Sequence, residues 1–181
     1  RYALAWAVLI LFGLSLYAGE LRPEVLASAQ AAEAQPLRPS PLFSDGMVLQ
    51  READAPVFGE AAAGMKVTVV FCKQKREATA DQRGRWQVRL TSLKASADPQ
   101  ELMISSSDQT VKVKNVLVGD VWLCAGQDNM QWSVKNSANA DNEIAAADYP
   151  GVRFFNVANR PDATQAGREQ DLRGEWKVCS P

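Results

Sequence analysis

The chain predicts a β-sandwich followed by the opening βαβ unit of an α/β domain, and three observations carry that expectation. Apolar and polar residues alternate through Met65–Phe71, Trp86–Leu90, Leu102–Ile104 and Val111–Val113, with no helical period in the region. At Val116 the pattern changes to the nearly continuous apolar run Val116-Leu117-Val118 and Val121-Trp122-Leu123, the composition of a strand covered on both faces. A short helical stretch and a second strand follow it, which is the order of a parallel crossover.

Taken in order, residues 3–19 are apolar without a charge and follow Arg1, the layout of a secretory signal. Small-residue cleavage options stand at Ala27-Ser28-Ala29, Ala29-Gln30-Ala31 and Ala32-Glu33-Ala34. A membrane anchor is the alternative, but the stretch is a little short for a span of about 20 residues. Residues 1–34 are therefore read as signal peptide and linker start, with a Pro-, Ala- and Gln-rich joint running from Ala31 to Pro41. The expected location is secreted or periplasmic.

Residues 35–115 are read as the β-sandwich. Met65, Val67, Val69 and Phe71 fall on one face of a strand, and Trp86-Gln87-Val88-Arg89-Leu90 repeats the alternation. Asp81-Gln82-Arg83-Gly84 between them is a turn signal, so the two strands are expected to form a hairpin or a near neighbour of one. Residues 116–181 are read as the start of the α/β domain, with a helix over Asn142–Asp148 that stops before Pro150-Gly151 and a strand over Val152–Val157. Two strands cannot bury the faces such a sheet implies, so this domain is expected to be incomplete at Pro181.

Composition removes several kinds of chemistry. The 181 residues are 46% apolar and 23% charged, with a formal net charge of -1 and dispersed Lys and Arg, so no nucleic-acid partner is expected. There is no histidine, and no other unperturbed side chain takes a proton near neutral pH, so this segment cannot hold a Ser-His-Asp triad. Cys72, Cys124 and Cys179 lack Cys-x-x-Cys spacing, and the glycines never cluster as a phosphate loop requires. Neither a metal nor another cofactor is expected. In an oxidising compartment two of the cysteines could pair, leaving one over, although free buried thiols fit equally well.

One block identifies a family. Val118-Gly119-Asp120-Val121-Trp122-Leu123-Cys124-Ala125-Gly126-Gln127-Asp128-Asn129-Met130 resembles the first block of the sialate O-acetylesterases, which read Gly-Gln-Ser-Asn-Met there. Leu42–Arg51, Ala145–Val157 and Trp176–Pro181 are similar to three further segments of that family, so the resemblance runs from about Pro41 to the last residue. It implies the three-layer, flavodoxin-like α/β fold of the SGNH hydrolases, an O-acetylated sugar as substrate or ligand, and no membrane contact beyond the amino-terminal signal or anchor.

The resemblance places Asp128 at the nucleophile position, where the family's serine attacks an acetyl ester; Gly126, Gln127 and Asn129 are read beside it as substrate-binding or oxyanion residues, although Gln127 and Asn129 fit equally well as backbone caps of the turn. The Gly, Asn and Asp-x-x-His blocks have no counterpart in the chain. A carboxylate at this point would occupy the donors meant for a developing oxyanion and repel its charge, so Asp128 is expected to be non-functional as a nucleophile. Asp equals Ser as a helix N-cap, so the turn tolerates the exchange structurally. Trp122 and Trp132 flank the turn and could stack on a sugar ring, although Trp122 on its apolar strand reads as core. Asp120, Glu143 and Asp148 read as solvated surface.

Overall fold

In a computed structural model the chain is described at residues 36–126, 130, 132–157 and 172–181. The expected signal peptide and linker start therefore lie outside the described residues. Among the described residues there are ten strands: β1 (Arg38–Pro39), β2 (Val48–Gln50), β3 (Ala55–Glu60), β4 (Lys66–Phe71), β5 (Gln74–Thr79), β6 (Arg85–Leu90), β7 (Ser96–Ser105), β8 (Thr110–Gly119), β9 (Tyr149–Val157) and β10 (Gly174–Cys179). A short helix, α1 (Ala140–Ala145), follows a 3-10 turn at Val134–Asn136.

The strands form a three-stranded sheet in the order β1-β3-β6, a five-stranded sheet in the order β2-β8-β7-β4-β5, and the two-stranded β9-β10 ribbon. The strand alternation read from the sequence sets which residues are inside. Val67, Val69 and Phe71 of β4 and Trp86, Val88 and Leu90 of β6 are buried, while Gln87 and Arg89 are exposed. These two sets meet Val57, Leu102, Ile104, Val113 and Val116 in one continuous core fed by both large sheets. Gly59 allows the close approach of β1: a Cβ there would lie 2.7 Å from Pro39 Cα and 2.9 Å from the Trp86 ring.

Strand pairing corrects the expected hairpin. The strand β4 pairs with β5, and β6 pairs with β3, so the two apolar strands lie in different sheets. What separates them is β5, Gln-Lys-Arg-Glu-Ala-Thr, an edge strand with no apolar face to announce it. The Asp81–Gly84 turn is present, but it carries the chain between sheets; Asp81 Oδ1 accepts from the amides of Arg83 at 2.8 Å and Arg85 at 2.9 Å.

The boundary expected between residues 115 and 116 falls inside β8, where Val116, Leu117 and Val118 are buried. The parallel βαβ crossover is not seen among the described residues. Instead, β8 is antiparallel to β7 and parallel to β2, whereas β9 pairs with β10 in an antiparallel ribbon. The apolar run also ends early: the strand stops at Gly119, and residues 121–126 carry no regular structure and are exposed. Nothing among the described residues covers that segment, so its hydrophobicity does not translate into a strand. The helix forms close to where it was expected, but it buries no residue and lies on the surface.

The β9-β10 ribbon belongs to the same compact unit as the two large sheets, Gln35–Pro181. Its Trp176 packs against the core and donates its indole N–H to the Leu42 carbonyl at 2.8 Å. Arg153 donates to Asn115 Oδ1 at 3.3 Å and to the Pro150 carbonyl at 2.9 Å.

Candidate active site

The block that ends in Gly126 starts where two strands leave the five-stranded sheet together. Because β2 and β8 are parallel, with Gln50 opposite Gly119, their carboxyl ends emerge side by side. The emerging residues are bonded to one another. Arg51 N donates to the Gly119 carbonyl at 2.9 Å, Arg51 Nε donates to Asp120 Oδ1 at 2.9 Å, and Val121 N donates to Gln50 Oε1 at 2.8 Å. Arg51 Nη1 also lies 3.3 Å from Glu52 Oε1. The Arg51 guanidinium holds the Asp120 carboxyl below the usual carboxylate range, and the pair in turn pushes the arginine up.

Beyond Val121 the chain is uncovered. Trp122 is 83% exposed and Leu123 94%, so Trp122 is not the core residue its apolar setting implied. Cys124 is exposed and its thiol is free, as are those of Cys72 and Cys179. Gly126 is exposed, and a Cβ on it would lie 3.0 Å from Met130 Cγ. Gln127, Asp128 and Asn129 lie outside the described residues. Trp132 is 62% exposed on the far side of the turn.

Of the remaining sequence candidates, Asp120 belongs to this group of contacts, whereas Glu143 and Asp148 lie in and just after α1. Asp120 is exposed as expected, though engaged by Arg51. Glu143 accepts from Asn139 Nδ2 at 3.3 Å on the surface of α1, and Asp148 is exposed after it. Among the described residues no group of three or more Cys, Asp or Glu is placed to hold a metal ion. Gln50 and Arg51 were not singled out by sequence reasoning as site residues. The available signal was their position at the close of one family-like segment, Leu42–Arg51.

No protein-family model matches the chain. It is 38% identical over 141 residues to a sialate O-acetylesterase of Rattus norvegicus, covering 71% of this chain, and 36% identical over 124 residues to that of Mus musculus, covering 62%. The human sialate O-acetylesterase is 35% identical over 128 residues, or 64% of this chain. The chain spans about a quarter of the length of these relatives: 25%, 23% and 24%. Among solved structures, a carbohydrate acetylesterase from Xanthomonas citri superposes with a TM-score of 0.69 at 34% identity, covering 80% of this chain and 33% of that one. Over some two thirds of its length, then, this chain is homologous to the sialate O-acetylesterases.

Proposed function

We propose that the chain is part of an exported carbohydrate esterase of the sialate O-acetylesterase type. In this reading the first body is a β-sandwich, and the chain after Gly119 opens an SGNH α/β hydrolase domain. The observation that carries it is the anchored block Gly119–Gly126, leading into Gln127-Asp128-Asn129, in a chain homologous to such esterases. The exposed hydrophobics Val121, Trp122, Leu123, Phe154 and Val157 support a second layer that larger proteins of this kind would complete. The apolar start of the chain supports export, and an O-acetylated sugar is the expected partner.

Within this reading the chain as given does not hydrolyse esters. Attack by the Asp128 carboxylate on an acetyl ester would produce a mixed anhydride, and a base would still be needed to activate water. The purified 181-residue chain is expected to hydrolyse an aryl acetate no faster than buffer; measurable turnover overturns that expectation. In the complete protein, Asp128→Ser should raise the rate by about three orders of magnitude or more. Equal rates would mean that the carboxylate does not stand at the attacking position.

A second reading, a sugar-binding pseudoenzyme, is favoured by Trp122 and Trp132, whose exposed rings flank the turn and suit stacking on a pyranose. Binding of an acetylated sugar without turnover by either form of the complete protein would select it.

A further inference from the structure

We infer that the seam between β5 and β6 is a binding site for a carboxylated sugar chain, centred on Arg76. Residues 73–94 hold seven Lys and Arg against two acids. Both acids are already paired, Glu77 with Lys66 and Lys75, and Asp81 with Arg85. Among the described residues Lys73, Arg76 and Arg89 form no ion pair. The adjoining segment between β2 and β3 brings two acids, Glu52, which Arg51 engages, and Asp54, while Glu60 lies at the far end of β3 opposite Arg85. Cations therefore outnumber free carboxylates where β5 meets the end of β6.

The seam is built as well as charged. The strands β5 and β6 are edge strands of different sheets, and Gln74 joins them. Its Nε2 donates to the Thr91 carbonyl at 2.7 Å, and its Oε1 accepts from the Thr91 amide at 3.1 Å. Arg76 is tied to the same residue: Nη2 donates to Thr91 Oγ1 at 3.3 Å, while Nη1 donates to the Lys75 carbonyl at 3.2 Å. These two bonds fix the plane of the guanidinium and use two of its five N–H donors, leaving a preset fork without an acid to fill it. A planar carboxylate is the complement of that fork. Arg89 stands two residues before Thr91, about 7 Å along an extended chain, and is exposed on the outer face of β6. Gln87 continues that face opposite the half-buried Phe58, whose ring meets Phe43 edge-on at 5.1 Å between centroids. A carboxamide and an aromatic surface beside the arginines suit the hydroxyls and the apolar face of a sugar ring. That a sugar carries the anion rests on the carbohydrate reading proposed above; the anion site itself rests on Arg76 and its setting.

The test titrates the 15N-labelled chain with sodium oligogalacturonate and, at equal ionic strength, with a neutral malto-oligosaccharide and with sodium sulfate. Oligogalacturonate should give saturating shifts in the Arg76 side chain and in the amides of Gln74, Arg89 and Thr91. Arg76→Gln should weaken that binding about ten- to a hundredfold, the factor of one hydrogen bond to a charged group, with the amides of β7 and β8 unmoved. Arg76→Lys, which keeps the charge and loses the fork, should recover only part of the loss. No shifts at millimolar oligogalacturonate would overturn the inference. Equal binding of sulfate or of the neutral sugar would overturn it too, since no acidic sugar would then be recognised, and so would full affinity in Arg76→Lys, since net charge alone would then suffice. No step reads hydrolysis, so failure here is distinct from failure of the Asp128→Ser test.

Discussion

Glu77 is an exposed carboxylate held well below its ordinary range by cations fixed beside it, and Asp120 is lowered in the same direction. Glu77 sits between Lys66 Nζ at 2.6 Å and Lys75 Nζ at 2.9 Å, and its pKa is lowered from 4.5 to about 2. Hydrogen bonding from Lys66 is the largest cause, followed by that from Lys75. For a carboxyl whose folded pKa is depressed, the stabilisation is present above the unfolded value and is lost as pH falls through the folded one. For Glu77 that window runs from about pH 4.5 down to about 2. The side-chain carboxyl, followed by NMR, is expected to titrate near the lower value and to move upward in Lys66→Met and in high salt, because exposed pairs are screened. A midpoint at the ordinary glutamate value in the unmodified chain would show that the lysines do not hold it. Asp120 follows the same sign through Arg51, so acid should weaken that ion pair.

Elements that bury a face could be read from the sequence, and those that do not could not. The faces of β4 and β6 follow from alternation alone, since each places its apolar residues inside. Strand β5 was invisible because all six of its residues are exposed or half-buried at a sheet edge. The β4-β5 hairpin was equally hidden. Its two-residue loop is Cys72-Lys73, with φ of 47° and 62°, the paired left-handed values of a type I′ turn but without the usual Asn-Gly. A left-handed non-glycine costs about 1–2 kcal/mol, and glycine's extra unfolded-state entropy offsets part of the relief. Lys73→Gly is therefore expected to stabilise the protein by about 0.5–1 kcal/mol, read as a higher urea midpoint at unchanged slope. A lower midpoint would mean that the Lys73 side chain contributes more than its backbone costs. The opposite error occurred at Val121–Leu123, where apolar composition predicted a covered strand and the chain is bare. Composition reports what a segment would bury if covered, and cannot report whether a cover is present.

At the scale of the whole molecule, burial divides the chain near Gly119. Every large hydrophobic that stands exposed among the described residues lies at Val121 or later, while the core is drawn almost wholly from the residues before it. The exception is Trp176, which reaches back to pack against that core and bonds the Leu42 carbonyl. Its ring also lies 5.4 Å from Phe155 across the ribbon, so one side chain joins β9, β10 and the first body. Removing it should release the ribbon while leaving the large sheets intact. Full truncation of a buried Trp costs about 3–5 kcal/mol, and a half-buried one should cost nearer 2. In Trp176→Ala we therefore expect amides of residues 149–157 and 174–179 to lose exchange protection while those of β4, β7 and β8 keep theirs. Trp176→Phe, which keeps a smaller aromatic ring and loses the indole donor, should cost only about 1 kcal/mol and keep the ribbon docked. Uniform loss of protection across both regions would instead show that the ribbon and the sheets unfold as one unit, and that Trp176 belongs to the core of the whole rather than to a joint between two parts.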